Sequence, residues 1–330
     1  MKPNPEREPG LLEGLLEDGR PALQLTAVGL LVSGAFALFL SARREFLPHD
    51  VAFLGMSAEQ LCALAECRVV YFMFHDRVAY GGSLIAVAVL YLWLTAFPLR
   101  RGLAWAWWAL ALSGLLGFAS FLSYLGYGYL DSWHGAATLA LLPIYIIGMA
   151  RSRSRATVST VAWLTSPDGR AAPRLRRLGR WGLLSTGLGM MAAGSAVLFL
   201  GTTDVFVAED LAYMGVTRDT LDRVNPRLIP LIAHDRAGFG GGLTTAGMLV
   251  SLCAWYAPPS RSFYQAVLVA GVAGFGCAIV VHYLAGYTNV VHLAPAFAGA
   301  ALFTVSMLLE AVAAGVTRPQ LRPDATSTAG

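Results

Sequence analysis

Phe74 to Leu94 reads FHDRVAYGGSLIAVAVLYLWL, a charged triplet at the head of a stretch with no further charge. Crossing the hydrocarbon of a bilayer takes about 20 predominantly apolar residues as a helix, and this stretch meets that length. The same word returns at Ala233 to Gly241, AHDRAGFGG, against FHDRVAYGG at 74–82. A hydrophobic chain thus carries one His-Asp-Arg triplet twice, each time at the edge of an expected span.

Composition agrees with that reading. Of 330 residues 56% are hydrophobic and 13% charged, and the mean hydropathy is +0.58, values outside the soluble range. The fold class is an all-α polytopic membrane protein. Its first twenty residues are polar and mixed in charge, without the basic-then-apolar order of a secretory signal. The net charge of +4 reflects one basic loop and reads as topology, not as nucleic-acid binding.

Eight transmembrane helices are expected, over 22–42, 69–97, 103–122, 134–150, 181–200, 228–256, 263–283 and 292–315. The loop from Arg151 to Arg180 holds eight arginines against Asp168, so the positive-inside rule assigns it to the cytoplasm. Both termini then lie inside, in the cell membrane. The expected domains are a cytoplasmic segment 1–21, a first four-helix bundle 22–150, a basic cytoplasmic linker 151–180, a second four-helix bundle 181–315 and a cytoplasmic tail 316–330.

The second bundle repeats the first. FLPHDVAFLGMSAEQL (46–61) aligns without a gap to FVAEDLAYMGVTRDTL (206–221), and GYLDSWH ending at His134 matches GYTNVVH ending at His292. An even number of spans per repeat makes the units parallel, related by an axis along the membrane normal. Two four-helix bundles side by side are the expected architecture.

Four of six histidines fall into repeat-related pairs, His75 with His134 and His234 with His292, at matched depth near the outer face. Ligation of a heme or metal is one reading, because ionisable residues retained at membrane depth are usually functional. From His75 the i+4 and i+7 positions are Ala79 and Gly82, and from His234 they are Gly238 and Gly241, a strip on which a flat macrocycle could lie. The other reading is that small residues let helices approach closely. Arg77 and Arg236 could anchor a heme propionate or snorkel to lipid phosphate. Asp76 and Asp235 could orient an imidazole or neutralise an arginine. His49 and His282 read as structural or loop residues. Cys62 and Cys67 lie in an outer loop where a disulfide is permitted, provided the chain turns between them.

The layout resembles the heme A synthase family, whose members have eight spans in two pseudo-symmetric halves and histidine pairs on the second and fourth helices of each. The resemblance implies His75, His134, His234 and His292 as heme-iron ligands, Cys62 and Cys67 as the outer-loop pair, and an oxidoreductase that modifies heme or transfers electrons. The family's Glu-x-x-His motif is absent: Phe72 stands three residues before His75, and Asp76 separates His from Arg. The partners implied are membrane lipid, heme or quinone, and a homo-oligomeric or respiratory-complex neighbour, with no nucleic acid. Two other classes stay open, a transporter or lipid-handling protein with polar sites lined by the triplets, and a non-catalytic membrane scaffold.

Overall fold

The computed structural model describes residues 18–65, 67–122, 128–129, 131–156 and 174–316. The expected N-terminal segment up to residue 17, linker residues 157–173, the tail from 317, and Glu66 and Tyr124 lie outside the described residues. Within them the chain is all α-helical, without a strand. Seven helices are long and apolar enough to cross a membrane, which marks a multi-pass membrane protein.

In chain order the α-helices of the described residues are α1 (Arg20–Arg43), the short α2 (Pro48–Leu54) and α3 (Ala58–Ala65), α4 (Cys67–Ala96), α5 (Ala104–Leu122), α6 (Ser132–Ser152), α7 (Arg174–Gly201), the short α8 (Ala208–Met214) and α9 (Arg218–Val224), α10 (Leu228–Tyr256), α11 (Arg261–Ala285) and α12 (Val290–Val316); the seven are α1, α4, α6, α7, α10, α11 and α12. Helix α5 is apolar but the shortest of the long helices. Local chemistry explains the breaks. Pro48 opens α2, where a missing N–H costs nothing, and Gly55 closes it with φ +70°, a left-handed cap that favours glycine. Gly215 closes α8 in the same way. Cys62 in α3 is joined by a disulfide to Cys67, the first residue of α4, so the turn between helices falls between the two sulfurs.

Helices α4 and α10 form the centre. Of their apolar windows 72% and 78% are buried, against 17–22% for the other spans. The two pack on one another, but each also reaches into the other half of the chain: α4 packs on α1 and α11, and α10 on α7 and α5. Helix α5 makes far less of a pair with α4, its neighbour in sequence, than with α10. Leu25, Val32, Phe36, Leu188, Phe199, Val272 and Leu308 point outward, an apolar girdle suited to lipid.

The core divides in two along α4 and α10. One apolar cluster collects Val69 to Phe74 and Leu228 to Ala233 with residues of the short helices, among them Leu54, Leu61, Met214 and Leu221. The other gathers Ala86 to Leu94 and Ala246 to Ala254 with Leu23, Leu110, Leu183 and Phe263. The two His-Asp-Arg triplets occupy the layer between. His75 therefore lies eight residues inside α4, about 12 Å from its start at 1.5 Å per residue, under a cap of short helices.

Candidate metal centre

The triplets answer one another across the α4–α10 seam. The Arg77 Nε donates to Asp235 Oδ2 at 2.8 Å and its Nη1 to Asp50 Oδ2 at 2.7 Å. In the corresponding places, Arg236 donates to Asp210 and to the Val205 carbonyl, and its Nε stands 3.6 Å from Asp76 Oδ2. Each arginine thus meets one acid from the short helix of its own half and one from the other triplet. Buried guanidinium groups need such partners, and Arg77 and Arg236, read from sequence as anchors for a propionate or a lipid phosphate, both find them within the protein. Asp76 and Asp235 neutralise the opposite arginine.

The histidines are also exchanged. The expected partners His75 and His134, and His234 and His292, are not the ones brought together. His134 Nδ1 lies 3.0 Å from His234 Nε2, with the rings stacked. On the other side His75 Nε2 lies 2.9 Å from His282 Nε2, and the His292 ring is 6.0 Å from that of His75. The physical reason is the crossing at the centre: α4 turns its histidine toward α11 and α12, and α10 turns its own toward α6. His282, read from sequence as structural, is a member of a cluster. So is His49, whose Nε2 is 2.9 Å from Asp131 Oδ1.

Asp131 organises the first cluster. As the N-cap of α6 its Oδ1 accepts the backbone N–H groups of Trp133 and His134, each at 2.9 Å, which satisfies two of the helix's orphan donors. Its Oδ2 is 2.9 Å from His134 Nδ1 and 3.5 Å from His234 Nε2. Burial opposes charge on this carboxylate, but hydrogen bonds from His134, His234 and His49 outweigh it and hold Asp131 far below the usual carboxylate range. Burial likewise works against a proton on His49, and Asp131 with Asp50 overcomes it, so the imidazole is raised above its ordinary value. Tyr129 donates to Asp50 beside it.

This cluster opens on a cavity of about 130 Å³ lined by Phe36, Arg77, Tyr80, Trp133, His134 and His234. The space is below the roughly 300–1,000 Å³ of a drug-sized pocket. A heme does not fit between the facing nitrogens. Two axial imidazoles on one iron stand about 4 Å apart, twice a metal–nitrogen bond of about 2.0 Å, whereas these pairs touch at 2.9 and 3.0 Å. The strips of small residues below the histidines are filled as well. A Cβ on Gly82 would lie 2.6 Å from Cys277 Cβ and 2.9 Å from the Ala273 carbonyl of α11, and one on Gly241 would strike Ser120 of α5. Those glycines serve close helix approach.

A bare ion is another matter. His75, His282 and His292, and separately Asp131, His134 and His234, each bring ligand atoms within 4.8 Å of one another and could hold a metal. His49, Asp50 and Asp131 form a third such group sharing Asp131 with the second. Family models, curated proteins and solved structures give no match to this chain.

Proposed function

We propose that the protein is a metal-dependent integral membrane oxidoreductase in which Asp131, His134 and His234 hold the reactive ion. The observation that carries this reading is the donor triangle, with sides of 2.9, 3.0 and 3.5 Å. A tetrahedral ion with bonds of about 2.0–2.1 Å sets its ligands about 3.3–3.4 Å apart. The three donors are therefore spaced as one face of such a site, and the fourth position falls to the cavity, the open arrangement of a catalytic centre. Imidazole suits iron, copper and zinc, and redox turnover calls for iron or copper.

In this reading the chain has eight spans, with α5 as the short third, built from two related four-helix units that exchange their central helices. The basic loop lies in the cytoplasm and the clusters face the outer side. Support comes from the paired contacts of Asp50 and Asp210 with Arg77 and Arg236, and of Tyr129 and Tyr287 with the same two acids.

Purified protein stripped of metal and titrated with Co²⁺ should give the intense d–d absorption of a four-coordinate site, perturbed by azide entering the open position. His234→Ala should abolish it. Absence of that spectrum, or its persistence in His234→Ala, refutes the reading. A heme-bearing oxidoreductase resembling heme A synthase is the second reading, favoured by histidines on the second and fourth long helices of each half. It requires both touching imidazole pairs to part, and a Soret band in protein produced with heme supplied is its test.

A further inference from the structure

We propose that His75, His282 and His292 form a second, chemically different metal centre, which takes a copper ion through three imidazole nitrogens. The ligands come from α4, α11 and α12, none of them shared with the Asp131 centre, so this proposal stands or falls separately from the function proposed above.

The neighbours of each ring fix where its proton sits. His282 Nδ1 is 2.5 Å from the Ala278 carbonyl oxygen. A carbonyl can only accept, so Nδ1 carries the hydrogen and Nε2 is left with its lone pair. His75 Nδ1 is buried and lies 3.2 Å from Asp76 Oδ1. A carboxylate beside one ring nitrogen draws the proton there, and again Nε2 is bare. These two bare Nε2 atoms face each other at 2.9 Å. Lone pairs at that distance repel, and a cation to one side of both turns the repulsion into attraction.

His292 is set by a relay. The Tyr287 hydroxyl donates to Asp210 Oδ1 at 2.8 Å and stands 3.1 Å from His292 Nδ1. With its proton committed to the acid, the phenol oxygen accepts from Nδ1–H, and His292 too presents Nε2. One ring nitrogen from each of the three histidines lies within 4.8 Å of the others.

Metal-binding histidines almost always give their second N–H to a carboxylate, a backbone carbonyl or another fixed acceptor. Here two rings have such an acceptor, the Ala278 carbonyl for His282 and the Tyr287 hydroxyl backed by Asp210 for His292, and His75 has the Asp76 carboxylate 3.2 Å from its Nδ1 without a formed hydrogen bond. A donor set of three neutral nitrogens without a carboxylate oxygen disfavours magnesium, calcium and manganese, and copper heads the affinity order among the ions that imidazole suits. The Asp131 centre, with a carboxylate ligand and a cavity, differs on both counts.

The experiment uses the full chain in detergent, stripped of metal and titrated with copper against a competing chelator. Copper bound per chain should fall by one equivalent in His282→Ala and in His292→Ala, while the azide-sensitive Co²⁺ spectrum of the other centre persists. Tyr287→Phe removes the acceptor behind His292 together with the hydrogen bond to Asp210, whose Arg236 partner stays in place, and should weaken copper about tenfold in a chain that still folds. Unchanged copper stoichiometry in both histidine variants overturns the proposal, as does unchanged copper affinity in a folded Tyr287→Phe. Loss of the Co²⁺ spectrum in His234→Ala with copper retained would leave this centre standing; loss of copper in the His282 and His292 variants of a chain that never shows the Co²⁺ spectrum would sustain this centre and refute the other.

Discussion

On one side of the α4–α10 seam two histidines share a carboxylate, Asp131; on the other, three histidines converge, and Asn289 stands where the aligned sequence has Asp131. Both residues do the same local work. Asn289 Oδ1 accepts the backbone N–H groups of Val291 and His292 at 2.9 and 3.1 Å, as Asp131 does for Trp133 and His134. Asparagine and aspartate cap helices about equally well, so capping does not explain why one side carries a charge. The third histidine supplies the rest of the contrast: His282 enters the second cluster from α11, and the first has Asp131 and His49 in its place. The two clusters thus differ in composition, one with a carboxylate shared among its histidines and one built on three histidines.

The largest expected effect tests what the two sides share. Arg236→Ala leaves Asp210 and Asp76 buried without their cation, and breaking a buried pair in this way costs about 3–5 kcal/mol. Arg77→Ala should cost less, because the Arg77 side chain is 14% exposed against 5% for Arg236 and water can reach the acids it abandons. Denaturation in lipid micelles measures both; equal losses would break the claim that burial separates the two sides. Next comes a feature found on one side alone. Cys62→Ser opens the short loop between α3 and α4, a loss of about 2 kcal/mol by loop-closure entropy, seen as a lowered midpoint that dithiothreitol reproduces in the wild type.

Asp131→Asn makes the first side resemble the second while keeping the cap. Metal affinity there should drop at least about tenfold, or about 1.4 kcal/mol, with helix content in circular dichroism unchanged; wild-type affinity would show that the carboxylate is no ligand. The smallest contrast lies in the short helices. Ser57 accepts from Gln60 N at 3.2 Å while Gln60 Oε1 accepts from Ser57 N at 2.8 Å, a reciprocal capping box. Thr217 Oγ1 accepts from Thr220 N at 3.2 Å and meets the Thr220 hydroxyl at 2.9 Å, so both contacts fall on one hydroxyl. Both alanine replacements should cost about 1 kcal/mol, with Ser57→Ala the larger of the two by thermal denaturation.

Hydropathy is a local property, so most long helices could be read from sequence to within a few residues, α4 and α10 among them; α7 begins at Arg174, seven residues before the expected 181, because its first turns carry the arginines that marked the linker. Repeat alignment likewise set the two triplets opposite one another, whereas Asp50 and Asp210 fell opposite each other in the aligned segments without being marked out. Partner choice was not legible, because it depends on which helix lies across the centre. Pairing histidines within each half assumed that neighbours in sequence pack together, and α4 instead lies against α11. Asp76 and Asp235 could be read as neutralising an arginine, but which one was not legible for the same reason: their arginines are 160 and 158 residues away. His282 carried one usable signal, its position at the same end of its span as His75. The flat strips at Gly82 and Gly241 were legible as small but not as occupied, since the groups that fill them, Cys277 and Ser120, come from distant helices.

The packing of α4 on α11 and of α10 on α5 has a consequence for how such a chain can be divided. Each cluster borrows a histidine from the opposite half, so a cut in the segment joining α6 to α7 would yield two pieces that both lack a finished centre. Neither fragment is a self-sufficient module. Joined in the membrane, each would supply what the other is missing, and ligand-site assembly becomes a direct report of reassociation. The interlocked arginines make the same demand on heredity: a change in one triplet is felt by the acid of the other, so the two words must be edited as a pair.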